Sequence, residues 1–341
     1  MTGPGRVPII LLLLAGLASA CGSIAPTPTA SSGARTQSPL ASSSPSAPPV
    51  PCQDAPPPVR SNPAATQDLA RNETLMFGGD LPNGTSVAET WLFDGHCWKQ
   101  AAPSLSPPAR QSAALVYDPD VRKSLLVGGR KDNPKGRQTI PGDVWTWDGQ
   151  SWSLVVNAPH FGDAIAAYDA DRHQVVVFGA ALQGVGTWTW DGVHWSLLSG
   201  PAPERFYPSS AAMCFDRSNH SFVLFGGQGD GAPPINNDTW LWDRGWVQQN
   251  PAHAPPPRFG AALMCGDHAL LFGGIGGQLG PALVDTWQWD GADWQQLHPL
   301  HGPGAKYLMF GVFDGERALL FIGTTPDQIW TWTGTDWSLV T

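Results

Sequence analysis

The sequence contains few charged residues and few of the side chains on which enzyme chemistry depends. Charged residues make up 14% of the 341 positions, against about 25% in typical globular domains. There are five lysines and four glutamates, and the formal net charge is −9. Because no basic stripe is present to neutralise phosphates, the composition excludes a nucleic-acid-binding protein.

The common catalytic and metal-binding motifs are also missing. The chain has no Gly-x-Ser-x-Gly, His-Glu-x-x-His or Cys-x-x-Cys sequence, and its nine histidines are scattered, without the spacing of metal ligands. No two carboxylates stand out as a general acid and base. We therefore expect no metal, no cofactor and no catalytic residue, which favours a binding module over an enzyme.

The longest apolar run before the repeats lies at the N-terminus and predicts export. Residues 7–16 are too short to span a bilayer, and residues 1–20 together have the order of a secretory signal. Cys21 follows Leu17-Ala-Ser-Ala20, which resembles a bacterial lipobox and implies that Cys21 is lipidated and becomes the mature N-terminus. Ordinary cleavage after Ala20 is the alternative, and it would release a secreted or periplasmic protein.

The segment after the signal has the composition of a linker. Residues 21–55 are rich in Ser, Pro, Thr and Ala, with Arg35 and Asp54 as their only charged residues. Such a segment cannot bury a core, so it predicts a disordered tether. About 35 flexible residues reach roughly 30–35 Å, so the domain would stand off the outer surface of a membrane with lipid as its only membrane contact.

The 17 tryptophans form one repeated pattern. It reads Trp-x-Trp, four residues, then Trp, and it recurs six times, with Phe93 replacing the middle tryptophan of the first copy and one residue missing from the fourth. A period of 43 to 54 residues predicts a repeat architecture, in which these tryptophans are structural. The leading tryptophans of the six copies are Trp91, Trp145, Trp188, Trp240, Trp287 and Trp330.

Each copy contains four β-rich segments. Apolar runs such as residues 175–178 suit strands that are buried on both faces, and several end in a doublet such as Gly128-Gly129. Asp-Gly pairs such as Asp148-Gly149 are typical of a type I′ hairpin turn, which requires positive φ at both residues. Six copies of four strands predict an all-β, six-bladed propeller over residues 56–341. The expected blades are about 56–104, 105–156, 157–200, 201–250, 251–299 and 300–341.

The order of basic residue, apolar strand, strand ending in Gly-Gly, aromatic strand and tryptophan resembles the kelch repeat over roughly residues 56–341. The resemblance implies a propeller like the central domain of galactose oxidase, which holds copper through Tyr and His. Tyr117 and Tyr168 fall in the repeat core, which leaves Tyr207 and Tyr307, and no copper ligand set is found. Bacterial sialic acid mutarotases are a second enzymatic relative with this repeat.

Four cysteines remain after Cys21, an even number in an exported chain. Cys52 precedes the first blade and Cys97 lies in its fourth strand, so this pair is expected to fasten the end of the tether to the blade. Cys214 and Cys265 lie in the first strands of neighbouring blades. They would either face each other as a disulfide or remain as two small buried thiols.

A basic position recurs at the start of the first strand of the blades, and Lys306 lies near it in the sixth. The residues at this position are Arg60, Arg110, His160, Arg205 and Arg258. Five such groups at a channel mouth would bind a carboxylate or another anion, and Glu204 is the one acid beside them. The alternative, favoured because the position repeats, is a structural role in which each caps backbone carbonyls or pairs with an acid of its own blade. The candidate acids, two residues before a leading tryptophan, are Glu89, Asp143, Asp238 and Asp285.

The loops that vary between copies indicate where a ligand would bind. Loops after the second strands gather on one face of a propeller, and variable loops on a constant scaffold carry binding. We expect an exported, membrane-anchored module that binds an unknown protein or small molecule, for example a carbohydrate, through this face. A sialic-acid-type sugar mutarotase that uses the arginines is the alternative, and a copper oxidase is third. The variable loops are residues 80–88, 130–142, 180–186, 228–237 and 275–284.

Overall fold

Six antiparallel four-stranded sheets make up the fold, which is a six-bladed β-propeller, as predicted. The computed structural model describes residues 52–132, 138–181, 184–198, 200, 203, 207–229, 234–277, 280–306, 309–322 and 328–340. The predicted signal over residues 1–20, the lipidation site Cys21 and nearly all of the predicted tether lie outside the described residues.

The first three blades take their strands in sequence order from the inside of the ring outwards. The first contains β1 (Ala64–Asp68), β2 (Glu73–Phe77), β3 (Thr90–Phe93) and β4 (Trp98–Ala101). The second contains β5 (Ala114–Asp118), β6 (Lys123–Val127), β9 (Val144–Trp147) and β10 (Trp152–Val155), with a small hairpin of β7 (Lys131–Asp132) and β8 (Gln138–Thr139) between its middle strands. The third contains β11 (Phe161–Asp169), β12 (Gln174–Ala181), β13 (Gly184–Trp190) and β14 (Trp195–Leu198).

The last three blades repeat this order. A 3₁₀ turn, Pro208–Ser210, precedes the fourth blade, which contains β15 (Ala212–Asp216), β16 (Ser221–Gln228), β17 (Ile235–Trp242) and β18 (Trp246–Gln248). The fifth contains β19 (Ala262–Cys265), β20 (Ala269–Phe272), β21 (Thr286–Trp289) and β22 (Trp294–Leu297). The sixth contains β23 (Met309–Phe313), β24 (Ala318–Ile322), β25 (Ile329–Trp332) and β26 (Trp337–Leu339).

The ring closes by packing between complete blades. The innermost strands of neighbouring blades contact each other around the ring, and β23 of the sixth blade contacts β1 of the first. All four strands of the sixth blade come from one consecutive stretch of chain. Closure therefore depends on side chains between blades one and six, because neither end of the described chain adds a strand to the other's blade.

The core lies between blades, where the aromatic residues of one blade meet the apolar strand of the preceding one. At five of the six interfaces the last tryptophan of a blade packs on a phenylalanine near the end of the neighbouring second strand. The ring centroids are 5.2 Å apart for Phe77 and Trp152 and 5.3 Å apart for Phe178 and Trp246. Edge-on aromatic pairs of this kind add about 0.5–1.5 kcal/mol beyond the area they bury. The repeated tryptophans thus join each blade to its neighbour.

The Asp-Gly hairpins form as predicted, but their turn type differs from the prediction. Gly149 has a φ of 99°, whereas Asp148 is not among the residues with positive φ. The Asp148 carboxylate instead accepts hydrogen bonds from the backbone N–H groups of Gln150 (2.9 Å) and Ser151 (2.8 Å). The aspartate therefore caps the turn through its side chain, and only the glycine needs left-handed backbone geometry.

Both candidate disulfides are present, including the second pair, for which the sequence left a disulfide and two buried thiols as alternatives. Cys52 and Cys97 are bonded with their Cα atoms 5.4 Å apart, and Cys214 and Cys265 with theirs 5.7 Å apart. The first fastens the chain entering blade one to the turn before its last strand, and the second joins the inner strands of blades four and five. Disulfides persist in oxidising compartments, so the pair indicates an extracytoplasmic protein. No helix among the described residues has the length and apolar character needed to cross a membrane.

Candidate functional site

Three of the predicted ligand-binding arginines lie inside the blades with protein partners. Arg258 is 1% exposed. It donates to the carbonyl oxygens of Pro256 (3.0 Å) and Gly273 (2.8 Å), and each terminal nitrogen contacts one carboxylate oxygen of Asp285 at 2.6 Å. The indole nitrogen of Trp287 donates to the same carboxylate at 2.7 Å. We call this arrangement the Arg–acid–Trp triad.

The first two blades contain the same triad. Arg60 contacts Glu89 at 2.7 Å, and Arg110 contacts Asp143 at 2.6 Å. Each arginine also donates to the backbone on both sides, including the glycine carbonyl that ends the second strand, at 3.1 Å and 2.9 Å. Each acid accepts a bond from its leading tryptophan, at 3.0 Å in the first blade and 2.7 Å in the second.

The charges within each triad are matched. Burial by itself would raise the pKa of Asp285, but hydrogen bonds from Arg258 and Trp287 and the arginine charge together lower it. The same causes lower the pKa of Asp143 in blade two. Glu89, Asp143 and Asp285 each meet a single arginine, so the triads have the geometry of the structural alternative. For the fourth candidate acid, Asp238, the expected partner Arg205 lies outside the described residues. A role in ligand binding for these arginines stays a prediction.

The other members of the predicted basic ring are placed differently. His160 is exposed, and its ring lies against Gly142, where a Cβ would come within 2.2 Å of it. Lys306 is half-buried. Arg205 and its neighbour Glu204 lie outside the described residues, as does Tyr307. Of the five predicted positions, therefore, three are in triads, one is on the surface and one is not described.

A cavity of about 560 Å³ opens at the centre of the ring. Its wall is formed by the first residues of the inner strands, which are mostly small, and by Phe310, which stacks on Phe321 with ring centroids 4.8 Å apart. This volume is in the usual range for small-molecule sites. The alanines of the wall are Ala64, Ala65, Ala113, Ala114, Ala164, Ala166, Ala211, Ala212, Ala261 and Ala262.

Arg130 lines the mouth of this cavity and is the single charged residue among the described lining residues. It is half-buried, and its Nε is buried without a hydrogen-bond partner in the described part of the chain. Its backbone is fixed by two hydrogen bonds with Gln111, of 2.9 Å and 3.0 Å. A buried Nε–H donor without a protein partner is unfavourable, so an anionic group from outside would satisfy it.

The glycine doublet before Arg130 positions it. Gly129 has a φ of 89°, and a Cβ there would lie 2.9 Å from both the Ala113 side chain and the Gln111 carbonyl oxygen. The N–H of Gly129 donates to the carbonyl of Gly162 in the next blade at 2.9 Å. The doublet therefore lets the end of β6 lie against two entering loops, and the following residue turns into the channel mouth.

A polar rim continues the mouth on the side of blade four. The Ser210 hydroxyl donates to the Tyr207 carbonyl oxygen at 2.6 Å, and the N–H of Gln228 donates to the Ser210 hydroxyl at 2.7 Å. Asn62 donates to Gln111 at 3.0 Å on the side of blade one. The Tyr207 side chain is 54% exposed. We call Asn62, Ser112, Arg130, Tyr207, Ser210 and Gln228, which all line the cavity, the mouth residues.

Sequence reasoning identified the loops of this face but missed Arg130. The search followed the position that repeats before each first strand, whereas Arg130 occupies the position after the glycine doublet. That position differs between blades, with Asp80, Gln228 and Ile275 at its equivalents. A scan for charges at this variable position would have found it, since Gln228 and Ile275 line the cavity as Arg130 does.

Metal-ligating atoms converge at one place in the described residues. Cys52, His96 and Cys97 have donor atoms within 4.8 Å of one another. Both sulfur atoms belong to the disulfide, so they are not available as thiolate ligands in the oxidised protein. None of the three residues lines the central cavity.

Comparison with known proteins supports the fold alone. No protein-family description and no curated protein matches the chain. Among solved structures, the one titled "Structure of YjhT" is similar with a TM-score of 0.63 and 12% sequence identity, over 84% of this chain and 99% of that one. At that identity the likeness shows a shared six-bladed propeller architecture and carries no residue roles.

Proposed function

We propose that this protein is an exported binding module, a kelch-type propeller held at a membrane by a lipid on Cys21, whose channel mouth binds a small anionic ligand. The two disulfides support export, and the lipobox-like sequence before Cys21 supports the anchor. The glycine doublets, the aromatic strands and the Arg–acid–Trp triads support a kelch-type repeat.

The observation that carries the ligand class is Arg130. In a protein of net charge −9, the described wall of the cavity contains one charge, and that charge is positive. The other mouth residues offer hydroxyl and amide groups that suit the hydroxyls of a sugar, and the Phe310 ring supplies an apolar wall. An acidic sugar or another hydroxylated carboxylate has the matching chemistry.

Two alternatives remain for the same face. A protein partner is favoured by apolar side chains exposed on the loops, because Ile140 and Val185 are each 54% exposed and Val284 is 51% exposed. A mutarotase would need an acid at the mouth, and the described lining residues include none. Its candidate acid, Glu204, lies outside the described residues.

The test is a thermal-shift and calorimetric screen of the purified protein, with Cys52 retained, against acidic sugars, neutral sugars, small carboxylates and divalent metals. A ligand at 100 times its dissociation constant adds about 2.7 kcal/mol of stability. We expect acidic compounds alone to bind, Arg130→Met to abolish binding, and Lys131→Met, which removes the neighbouring exposed cation, to leave it unchanged. Equal binding by neutral sugars, or full binding by Arg130→Met, would overturn the proposal.

A further inference from the structure

At five of the six interfaces, a side chain of one inner strand reaches across to the preceding blade. The interface between blades one and six lacks such a side chain. In each inner strand, one residue lies opposite the first or second residue of the neighbouring second strand, as Tyr168 lies opposite Val175. We call this the bridging position, because its side chain is directed at the preceding blade. In blade order its residues are Gln67, Tyr117, Tyr168, Phe215, Cys265 and Phe313.

Bridging residues in blades three to six contact the blade before them. The Tyr168 hydroxyl donates to Asp120 in the first turn of blade two at 2.6 Å. Phe215 belongs to a core cluster with residues of blade three, and Cys265 is disulfide-bonded to blade four. Phe313 lies so close to Gly266 of blade five that a Cβ there would come within 2.4 Å of its ring.

Tyr117 in blade two is in the same situation. It is 5% exposed, and burial followed by the charge of Asp68 in blade one raises its pKa. Its N–H also donates to the Thr66 hydroxyl of blade one at 3.2 Å. Five of the six interfaces are therefore crossed at this level by an aromatic ring or a disulfide.

Gln67 breaks this rule because its side chain is held by its own blade. The Thr74 hydroxyl donates to the Gln67 amide oxygen at 2.8 Å, and both residues are buried. A cavity of about 330 Å³ lies at this level between blades one and six. We call it the seam cavity; it opens on the face of the first turns, opposite the mouth residues.

We propose that the seam cavity is a second binding site, which takes a small phenolic compound in the place of the missing aromatic side chain. Phe93 and Leu319, which are 3% and 5% exposed, provide apolar walls on the two blades. Thr74 and Gln67 form the polar floor, and the lining also includes Asn72, Glu316 and the ion pair of Arg317 with Asp314. The volume exceeds that of one aromatic side chain, so a phenol with a modest substituent fits.

Glu316 can accept a hydrogen bond from the hydroxyl of the ligand, in the place where Asp120 accepts one from Tyr168 in another interface. Tyr168 donates to Asp120, which stands two residues after Asp118, the aspartate that caps its turn. Glu316 stands two residues after Asp314, which caps the first turn of blade six in the same way, and it lines the seam cavity. A phenolic hydroxyl beside Glu316 would therefore repeat the Tyr168–Asp120 contact.

The occupant has to come from outside the N-terminal segment. Residues 1–51 contain no Phe, Tyr or Trp, so this part of the chain cannot supply the ring. Because the site lies on the face opposite Arg130, it is independent of the proposed anion site, and each can fail without the other.

The experiment titrates 4-methylphenol, which has the ring and hydroxyl of a tyrosine side chain, into the intact protein and into Gln67→Tyr. We expect saturable binding to the wild type by calorimetry and ligand-observed NMR. The tyrosine of Gln67→Tyr should fill the cavity, weaken binding at least about tenfold, which corresponds to roughly 1.4 kcal/mol, and raise the melting temperature. Arg130→Met should bind as the wild type does.

Localisation in the wild-type protein keeps the test independent of how Gln67→Tyr folds. Magnetisation transfer from the methyl group of bound 4-methylphenol to the Leu319 and Leu69 methyl groups, both in the lining, is the expected signature. Absence of saturable binding to the wild type would overturn the proposal, and so would undiminished binding by folded Gln67→Tyr. Binding that Arg130→Met abolishes would assign the phenol to the channel mouth instead and overturn it equally.

Discussion

Replacing Val144 by Thr is expected to stabilise the propeller, because it supplies a hydrogen-bond acceptor that one interface lacks. In four interfaces the indole N–H of the last tryptophan donates to a threonine hydroxyl of the preceding blade, as Trp337 does to Thr286 at 3.0 Å. The other three bonds measure 2.8 to 2.9 Å. At the interface of blades two and three the equivalent residue is Val144, and the buried indole nitrogen of Trp195 has no hydrogen-bond partner among the described residues.

The expected magnitude follows from two opposing terms. An unsatisfied buried donor costs about 1–3 kcal/mol, and exchanging a methyl group for a hydroxyl loses about 0.8 kcal/mol of apolar burial. Val144 is fully buried and Thr has nearly its shape, so the net gain is about 0–2 kcal/mol. Thr286→Val makes the reverse change for Trp337 and should destabilise the protein by a similar amount.

The assay is equilibrium denaturation followed by tryptophan fluorescence, with calorimetry to compare melting temperatures. Val176→Thr is the matched control, because Val176 is equally buried and Trp246 in its cluster already donates to Thr187. There the added hydroxyl gains no partner and should destabilise. If Val144→Thr lowers the free energy of unfolding as much as Val176→Thr does, the reasoning about the unpaired indole is wrong.

Three further changes test the Arg–acid–Trp triads, the disulfides and an unpaired indole nitrogen. Because the pKa of Asp285 is lowered in the folded protein, its pairing with Arg258 stabilises the fold above the unfolded pKa of 3.8, and this stabilisation is lost as pH falls through the folded pKa. Asp285→Asn should therefore lower the free energy of unfolding by about 3–5 kcal/mol at pH 7 and make that free energy depend less on pH in acid. An unchanged pH dependence in acid would contradict this. The cysteines of the Cys214–Cys265 disulfide are 51 positions apart, so replacing both by alanine should lower the free energy of unfolding in denaturant by about 4 kcal/mol. The same double substitution at Cys52 and Cys97 is the matched comparison. If neither substitution lowers the free energy of unfolding, the loop-closure account is wrong. Gly186→Asp places a side chain whose Cβ lies 3.8 Å from the Trp188 indole nitrogen, which has no partner among the described residues, and 3.0 Å from the end of the exposed Leu197 side chain, which has to move aside. The change should stabilise the protein by about 0.5–1.5 kcal/mol at neutral pH. The gain should disappear when the aspartate is protonated, and Gly186→Asn distinguishes charge from hydrogen bonding.

The architecture follows from periodicity in the sequence. The spacing of the tryptophans, the apolar runs and the Asp-Gly pairs each reflect local geometry, since a strand alternates its faces and a tight turn needs glycine. These rules act over a few residues, so they can be recognised in the sequence. The disulfide between Cys214 and Cys265 was open to prediction for the same reason, because both occupy known positions in a repeated strand.

The direction in which each side chain points was decided by tertiary contacts within and between blades. Arg60, Arg110 and Arg258 look like a ring of ligands in the sequence, yet acids 27 to 33 residues further along the chain hold them inside the blades. Arg130 looks like one loop residue among many. Only the approach of Gly129 to Gly162 of the next blade turns it toward the channel.

The sequence by itself therefore determined the six blades, their strands, the aromatic cores and the face that carries the variable loops. Tertiary structure alone decided that one cation lines the described part of the mouth, that Trp195 lacks an acceptor among the described residues and that a cavity remains beside Gln67. Each of these depends on residues about 50 positions apart that meet across an interface, as Trp195 and Val144 do. Packing between blades fixes such pairs, and no local propensity contains them.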